Sequence, residues 1–96
     1  MKNPTLYIFS GLPATGKSTL AELLARRVGA AYVRIDTIEQ ALRDLCSVDV
    51  QGEGYRLAYR LAADNLRLAG RVILDTSGRS AQECVDELLA TIESEA

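Results

Sequence analysis

The sequence predicts an α/β fold in which helices cover both faces of a small parallel sheet. Three short apolar runs, at residues 6–9, 30–35 and 71–75, have the composition of buried strands. Segments with helical spacing of apolar residues separate these runs and follow the last one. Alternation of this kind requires right-handed crossovers, which place the strands parallel to one another. We expect one domain over residues 1–96, with three layers, about three strands and the order β-α-β-α-α-β-α.

The predicted helices are bounded by capping patterns. The first helix stops before Gly29 and the third is ended by Gly70, since glycine is common just past a helix end. The third helix opens at Gly54. A helix over about 38–46 follows Thr37, which forms a capping-box pattern with Gln40, and Ser80 with Glu83 predicts a second capping box before the last helix. Residues 47–53 and 76–79 are predicted to be a loop and a turn, and residues 93–96 to fray.

Residues 11–18 match the phosphate-loop pattern G-x-x-x-x-G-K-[ST], also called Walker A, between the first strand and the first helix. Gly11 and Gly16 lack a Cβ, so the backbone amides can surround a phosphate closely. Lys17 can place its ammonium on the β- and γ-phosphates, and the Ser18 hydroxyl can ligate Mg²⁺. The fold class is therefore a P-loop NTPase that binds a nucleoside triphosphate, taken as ATP, with Mg²⁺. The predicted nucleotide contacts are Gly11, Pro13, Ala14, Thr15, Gly16, Lys17, Ser18 and Thr19.

Two carboxylates follow the later strands, at the sheet edge where open parallel sheets bind ligands. Asp75 ends the third strand and is predicted to hold Mg²⁺ together with Ser18, the alternative being a turn residue. Asp36 follows the second strand, and its alternative role is a helix N-cap. Because the chain has no histidine, a general base must be a carboxylate, and Asp36 is the predicted base. Asp36 and Lys17 are the two predicted catalytic residues.

Charge and composition narrow the classes of binding partner and the cellular compartment. A net charge of −2 and a pI near 5.0 disfavour binding to duplex nucleic acid. No apolar run is long enough for a membrane span and none reads as a signal peptide. Cys46 and Cys84 lie far apart, as expected for reduced thiols in a cytoplasmic protein. Arg60 and Asp64 are predicted to pair in solvent, the alternative being that Arg56 or Arg60 reaches a phosphate or the acceptor.

The stretches 11–19 and 32–42 resemble the small P-loop kinases of the AAA-ATPase-labelled group, which includes phage polynucleotide kinase, zeta toxins and chloramphenicol phosphotransferase. The resemblance covers about the first 75 residues. It implies transfer of the γ-phosphoryl of ATP to a hydroxyl of a small molecule or nucleotide. It also implies that Asp36 is the base and that Lys17 and Ser18 are the loop residues.

The chain departs from that group after its third strand. Members continue into a lid helix bearing arginines, whereas residues 71–85 resemble the closing strand and helix, so we expect the lid segment to be absent. Arg79 is the candidate substitute for a lid arginine. Sheet edges left exposed favour a homodimer. The alternative function is a reduced nucleotide-binding module with weak or no kinase activity, a slow ATPase or a partner-binding dimer.

Overall fold

A computed structural model describes residues 3–10, 16–68, 70–76 and 78–94, apart from the side chain of Ser18. Within these ranges the elements follow the predicted order. They are β1 (Thr5–Phe9), α1 (Lys17–Val28), β2 (Ala31–Arg34), α2 (Ile35–Cys46), α3 (Glu53–Arg67), β3 (Arg71–Asp75) and α4 (Ala81–Ser94). No helix in the described ranges is long and apolar enough to cross a membrane.

The sheet is parallel, with strand order β1-β3-β2, so β3 lies in the centre. Its residues Val72, Ile73 and Leu74 are fully buried, which explains the uninterrupted apolar run, since a central parallel strand is covered on both faces. Phe9 and Arg34 both align with Asp75. The carboxyl ends of the strands therefore meet at one edge of the sheet, next to Asp75.

Helix α1 covers one face of β3. Arg71 at the start of β3 donates a hydrogen bond of 2.8 Å from Nη1 to the Val28 carbonyl, at the end of α1. Lys17, at the beginning of α1, contacts Asp75 at the end of β3. Because side chains alternate between the faces of a strand, Arg71 and Asp75 share one face. Both ends of α1 are thus tied to the same face of the central strand.

Helices α3 and α4 cover the opposite face, where the main hydrophobic core lies. Val72 and Leu74 pack there into a cluster of buried residues from both helices and from β2. Other members of this cluster are Val33, Ile35, Tyr55, Ala58, Tyr59, Ala62, Ala63, Cys84 and Leu88. The small alanines of α3 allow its backbone to approach the sheet closely. The predicted three-layer α/β/α architecture with a reduced parallel sheet is confirmed.

The junction of β2 and α2 differs from the prediction. The strand ends at Arg34 and the helix begins at Ile35, so the predicted capping box of Thr37 and Gln40 is wrong. Arg34 occupies the N-cap position without a side-chain hydrogen bond, and Thr37 lies inside the first turn. Ile35 is 1% exposed and belongs to the core, so burial of this side chain fixes the chain direction immediately after the strand.

The remaining helix starts are close to the prediction. Ser80 and Glu83 form the predicted capping box, in which Glu83 N donates to Ser80 Oγ and Ser80 N to Glu83 Oε1, both at 3.2 Å. Helix α3 begins at Glu53, whose carboxylate accepts hydrogen bonds from the amides of Gln51 and Gly52. The bonds from these amides and from its own lower the pKa of Glu53 to about 2. Helix α4 continues through Ser94, so the fraying predicted from residue 93 is wrong for residues 93 and 94.

Candidate functional site

The described part of the phosphate loop ends in the geometry that the motif predicts. Gly16 has φ 75° and ψ 8°, a left-handed conformation that favours glycine, and α1 begins at the next residue. Within the described residues no side chain caps this end of α1, which lies beside the carboxyl end of β3 through the contact of Lys17 with Asp75. Thr19 lies exposed in the first turn. The predicted contacts Gly11, Pro13, Ala14 and Thr15, and the side chain of Ser18, lie outside the described residues.

Lys17 is held in place rather than free in solvent. Its side chain is 7% exposed, and Nζ lies 2.9 Å from Asp75 Oδ1. The same ammonium donates a hydrogen bond to the carbonyl oxygen of Thr76. Thr76 is itself fixed, because it is fully buried and its amide donates to the Phe9 carbonyl at 2.8 Å. The ammonium that the sequence assigns to the phosphates therefore lies against the end of β3 in this structure.

Asp75 lies where a metal-side carboxylate was expected, but it has a partner that the sequence analysis missed. Its Oδ2 accepts a hydrogen bond of 2.6 Å from the hydroxyl of Tyr32, on β2. An aromatic residue in a strand is usually a packing residue. The only feature of the sequence that could have indicated a role for Tyr32 in the site is its position two residues before the end of β2. Lys17, Asp75 and Tyr32, which we call the Lys17 cluster, join the first helix to two strands.

The donor set suits Mg²⁺ bound chiefly by phosphates. No group of three or more acidic, histidine or cysteine side chains lies together within the described ranges. A lone carboxylate is compatible with Mg²⁺, which usually keeps several waters and takes one or two carboxylates plus phosphate oxygens. The predicted ligand role of Asp75, and that of Ser18, remains a prediction.

Asp36 lies in the first turn of α2, two residues past Arg34, which aligns with Asp75 across the sheet. It is not the helix N-cap, so that alternative role is wrong. Its side chain is exposed. It lines an open groove of about 510 Å³, together with Thr37, Gln40, Ala41 and Asp44. A carboxylate at a helix start beside an open groove can meet a hydroxyl-bearing molecule from solvent.

Arg79 belongs to a second cluster on the other face of the sheet. Its Nη1 lies 2.7 Å from both carboxylate oxygens of Glu87, and its Cζ lies 4.0 Å from the centre of the Tyr55 ring. Tyr59 donates a hydrogen bond of 2.6 Å to Glu87 Oε1. We call Arg79, Glu87, Tyr59 and Tyr55 the Arg79 cluster. Arg79 would have to leave Glu87 to act as a substitute for a lid arginine.

The electrostatics of the Arg79 cluster favour the ion pair. Burial disfavours a charged Glu87, but hydrogen bonds from Tyr59 and Arg79 outweigh it and hold the pKa of Glu87 below the usual 4.5. Burial, with the bond to Glu87, raises the pKa of Tyr59 above its ordinary value. Tyr59 therefore stays a neutral donor to a charged carboxylate.

The other arginines named from the sequence lie on the outer surface of α3. Asp64 pairs with Arg67, at 3.2 Å, and within the described ranges it makes no ion pair with Arg60, so that predicted pairing is wrong. A side chain three residues away on the same helix reaches the carboxylate as easily as one four away. Arg56 pairs loosely with Glu53, at 3.4 Å. A role for Arg56 or Arg60 toward a phosphate or acceptor remains a prediction.

Comparison with known proteins assigns the family. The sequence profile of a family described as AAA domain matches residues 6–92, and the chain belongs to this family. Replication-associated recombination protein A of Haemophilus influenzae is 38% identical over 53 residues, which are 55% of this chain and 12% of that protein.

Solved structures agree with this fold. A candidate kinase from Chloroflexus aurantiacus superposes with a TM-score of 0.77 over 95% of this chain, at 23% identity. A sugar kinase from Janibacter superposes with a TM-score of 0.62 over 94% of this chain, at 15% identity. At such identities the likeness concerns the fold, and this chain spans 54% of each of those two chains. The protein therefore has a P-loop, nucleotide-binding, kinase-like fold.

Proposed function

We propose that this protein is an ATP-dependent phosphotransferase that moves the γ-phosphoryl group to a hydroxyl of a small molecule or nucleotide. The observation that carries the proposal is the buried Lys17–Asp75 pair at the start of α1. It sets a cation and a carboxylate beside the helix N-terminus at the carboxyl edge of a parallel sheet, where such sheets bind ligands. Membership of the AAA domain family and the kinase-like fold support it.

The described residues suit a magnesium-bound triphosphate. Lys17 can exchange its carboxylate and carbonyl partners for phosphate oxygens, and the first amides of α1 can donate to an anion. Asp75 stays at the edge, where a carboxylate can help to hold Mg²⁺. When bound, the magnesium-bound nucleotide supplies the phosphoryl group to be transferred and neutralises charge on it. Positioning and electrostatics, rather than covalent chemistry, are what the protein contributes to such a reaction.

The acceptor step is assigned to Asp36. Its carboxylate opens onto the groove along α2, and it can accept the proton of a hydroxyl as that oxygen attacks phosphorus. The chain contains no histidine that could compete for this role. Four of the five residues that line the groove (Asp36, Thr37, Gln40 and Asp44) carry groups that can hydrogen-bond to a small hydroxylated molecule.

A second candidate is nucleotide binding with weak or no transfer, which includes slow ATP hydrolysis. The pairing of Arg79 with Glu87 favours it, because loss of a mobile arginine removes a large stabilising charge from phosphoryl transfer. A homodimer is a related proposal. In the described residues β1 and β2 each pair with β3 alone, and an unpaired strand edge is a template for a second chain.

The test is release of ADP in the presence of Mg·ATP and a panel of small hydroxylated acceptors. We expect Asp36→Asn to lower acceptor-dependent release by about 10²- to 10⁴-fold, the usual contribution of a general base. Binding of Mg·ATP should change by less than about twofold, since Asp36 is not a phosphate contact in this proposal. Asp64→Asn, the same substitution on the outer surface of α3, is the matched control.

Three results discriminate between the candidates. Acceptor-dependent release that survives Asp36→Asn unchanged contradicts the assigned base. Release that is independent of every acceptor and of Asp36 supports the slow ATPase. A stable dimer by light scattering, without any nucleotide effect on the melting temperature, supports the partner-binding role.

A further inference from the structure

We propose that Arg56 and Arg79 form a binding site, beside Gly52, for an anionic group of the acceptor, which is a phosphate or a carboxylate. The inference rests on the proposed phosphotransferase, because it names the class of acceptor. The site itself can be tested without any transfer of phosphate. It gives Arg79 a function that is compatible with its ion pair to Glu87.

The two guanidinium groups approach each other across Gly52. A Cβ built on Gly52 would lie 3.0 Å from Arg56 Nη1 and 4.0 Å from Arg79 Nη2. The distance between these nitrogens therefore cannot exceed the sum of those two distances, which is short enough for two oxygens of one phosphate or carboxylate to bridge them. Gly52 has φ −151°, outside the left-handed range, so its missing Cβ provides space between the two groups.

Arg79 presents one of its nitrogens from a fixed position. Its Nη1 binds Glu87 at 2.7 Å, and its Cζ lies 4.0 Å from the centre of the Tyr55 ring. The nitrogen that faces Gly52 is Nη2. Because a guanidinium carries five N–H donors in a planar fork, Arg79 can keep Glu87 and also donate to an anion. A donor that is already fixed loses little side-chain entropy when a ligand binds.

Arg56 is the more adaptable of the two donors. Its ion pair with Glu53 is 3.4 Å long and its side chain is 69% exposed, so this pair contributes little. The carboxylate of Glu53 is held by the amides of Gln51 and Gly52 instead. Little free energy is therefore lost when Arg56 turns from Glu53 to an anion. Arg56 also lines a cavity of about 170 Å³ together with Arg60, one turn further along α3.

The site depends on the direction of its donors, because its net charge is close to zero. Three carboxylates lie near the three arginines at this end of the molecule. Glu53 and Glu87 have the partners given above, and Glu39 packs against Gly54. Two planar groups that converge on one point recognise the paired oxygens of a phosphate or carboxylate. We therefore expect a bare anion to bind weakly, and a whole acceptor to gain affinity from its other contacts.

The same end of α3 packs against the helix that carries Asp36. A Cβ on Gly54 would lie 2.5 Å from Glu39 Cγ, so α2 and α3 are in close contact there. Glu39 follows Asp36 by three residues and is its neighbour on the surface of α2. Arg79 lies on the face of the sheet opposite Lys17. An acceptor can thus present its hydroxyl to Asp36 and its anionic group to the arginines without competing with the triphosphate for Lys17.

The first experiment measures anion binding by NMR titration of isotope-labelled protein. The protein is first saturated with Mg²⁺ and a nonhydrolysable ATP analogue, so that the phosphate loop is filled. Inorganic phosphate and acetate are then titrated separately, with sodium chloride at equal ionic strength as the control for screening. We expect the amide resonance of Gly52 to shift saturably with phosphate or acetate and not with sodium chloride. The anion that binds more tightly identifies the group on the acceptor.

Variants test the two donors. Arg56→Gln and Arg79→Gln should each raise the Kd of the bound anion about tenfold, because one of two charged donors is lost. Arg67→Gln is the matched control, since it removes an ion pair of the same spacing, 3.2 Å to Asp64, at the other end of α3. It should leave the Kd within about twofold of the wild type. A Gly52 resonance that does not move, or an unchanged Kd in Arg56→Gln, overturns the inference.

The second experiment links the site to the acceptor. With an acceptor that supports ADP release, inorganic phosphate should inhibit competitively against the acceptor and not against Mg·ATP. Arg56→Gln should raise the KM of the acceptor about tenfold and change kcat by less than about twofold. Inhibition that is competitive with Mg·ATP alone overturns the inference.

The two proposals can fail separately. If the anion binds at Gly52 as expected but no acceptor supports ADP release, the phosphotransferase falls and the anion site stands. If transfer to an uncharged acceptor is insensitive both to phosphate and to Arg56→Gln, the inference falls and the phosphotransferase stands.

Discussion

Two ion pairs in the described residues, one buried and one partly exposed, are built alike and placed differently. In each, a tyrosine hydroxyl donates at 2.6 Å to a carboxylate that also holds a cation: Tyr32 to Asp75 with Lys17, and Tyr59 to Glu87 with Arg79. The Lys17 cluster lies under α1, whereas the Arg79 cluster lies between α3 and α4. The two clusters differ in their cations and in the residues next to those cations.

The cations differ in how firmly they are held. Arg79 meets both oxygens of Glu87 and stacks on Tyr55, so its planar group is fixed on two sides. Lys17 is a compact charge on a flexible stem, and its contacts include one carboxylate oxygen of Asp75 and the carbonyl of Thr76. It also follows Gly16 at the N-terminus of α1. Under the proposed function, we expect the Arg79 cluster to stabilise the fold and Lys17 to exchange its partners for phosphate oxygens.

The largest expected contrast is in nucleotide affinity. Lys17→Met should weaken Mg·ATP binding about a hundredfold, or about 2.8 kcal/mol, because it removes charged hydrogen bonds to phosphate. Arg79→Met should change the Kd by less than about twofold, since Arg79 remains with Glu87 in this account. Titration calorimetry of both variants measures the contrast. Similar losses in the two variants would show that Arg79 also reaches the phosphates.

Stability should give the next contrast. Lys17→Met leaves Asp75 buried without its cation and should lower the free energy of unfolding by about 3 kcal/mol. Arg79→Met should lower it by about 1 kcal/mol, because the Arg79 and Glu87 side chains are 27% and 43% exposed and solvent screens the pair.

Urea unfolding followed by circular dichroism measures both losses. Adding Asp75→Asn to Lys17→Met removes the buried carboxylate charge that has lost Lys17, and should recover part of the lost free energy of unfolding. It also provides a folded variant without the lysine for binding measurements. Equal losses for the two single variants would contradict the difference in burial between the clusters.

The smallest expected effect is a pH dependence in the Arg79 cluster. The pKa of Glu87 is below 4.5 in the folded protein, so its charge stabilises the fold above the unfolded pKa and this contribution is lost as pH falls through the folded value. The stability difference between the wild type and Glu87→Gln should therefore be full at neutral pH and shrink below about pH 4.5. Urea midpoints across this range test it. A difference that grows toward acid would reverse the sign assigned to Glu87.

The sequence predicted the parts of the site that lie close together along the chain. The loop motif places Lys17 at the start of α1, and the apolar run 72–74 ending in a carboxylate places Asp75 at the sheet edge. The capping box of Ser80 and Glu83 has the same local character. In each case neighbours within a few residues determine the result.

The contacts that distinguish the Lys17 cluster are long-range. Tyr32 is 43 residues from Asp75, and Lys17 is 59 residues from Thr76. They meet because β2 and α1 pack on the same central strand in a particular register, which periodicity does not reveal. The start of α2 was missed for a related reason. Asp36 and Thr37 look like capping residues locally, but tertiary burial of Ile35 begins the helix earlier.

The most direct measurement of the central claim is thermal unfolding of the wild type with and without saturating Mg·ATP. If Lys17 and the phosphate loop hold the triphosphate, nucleotide at about 100 times its Kd should stabilise the fold by about 2.7 kcal/mol. In a domain of this size that raises the melting temperature by about 10 to 20 °C. An unchanged melting temperature at saturating nucleotide and magnesium would contradict the account.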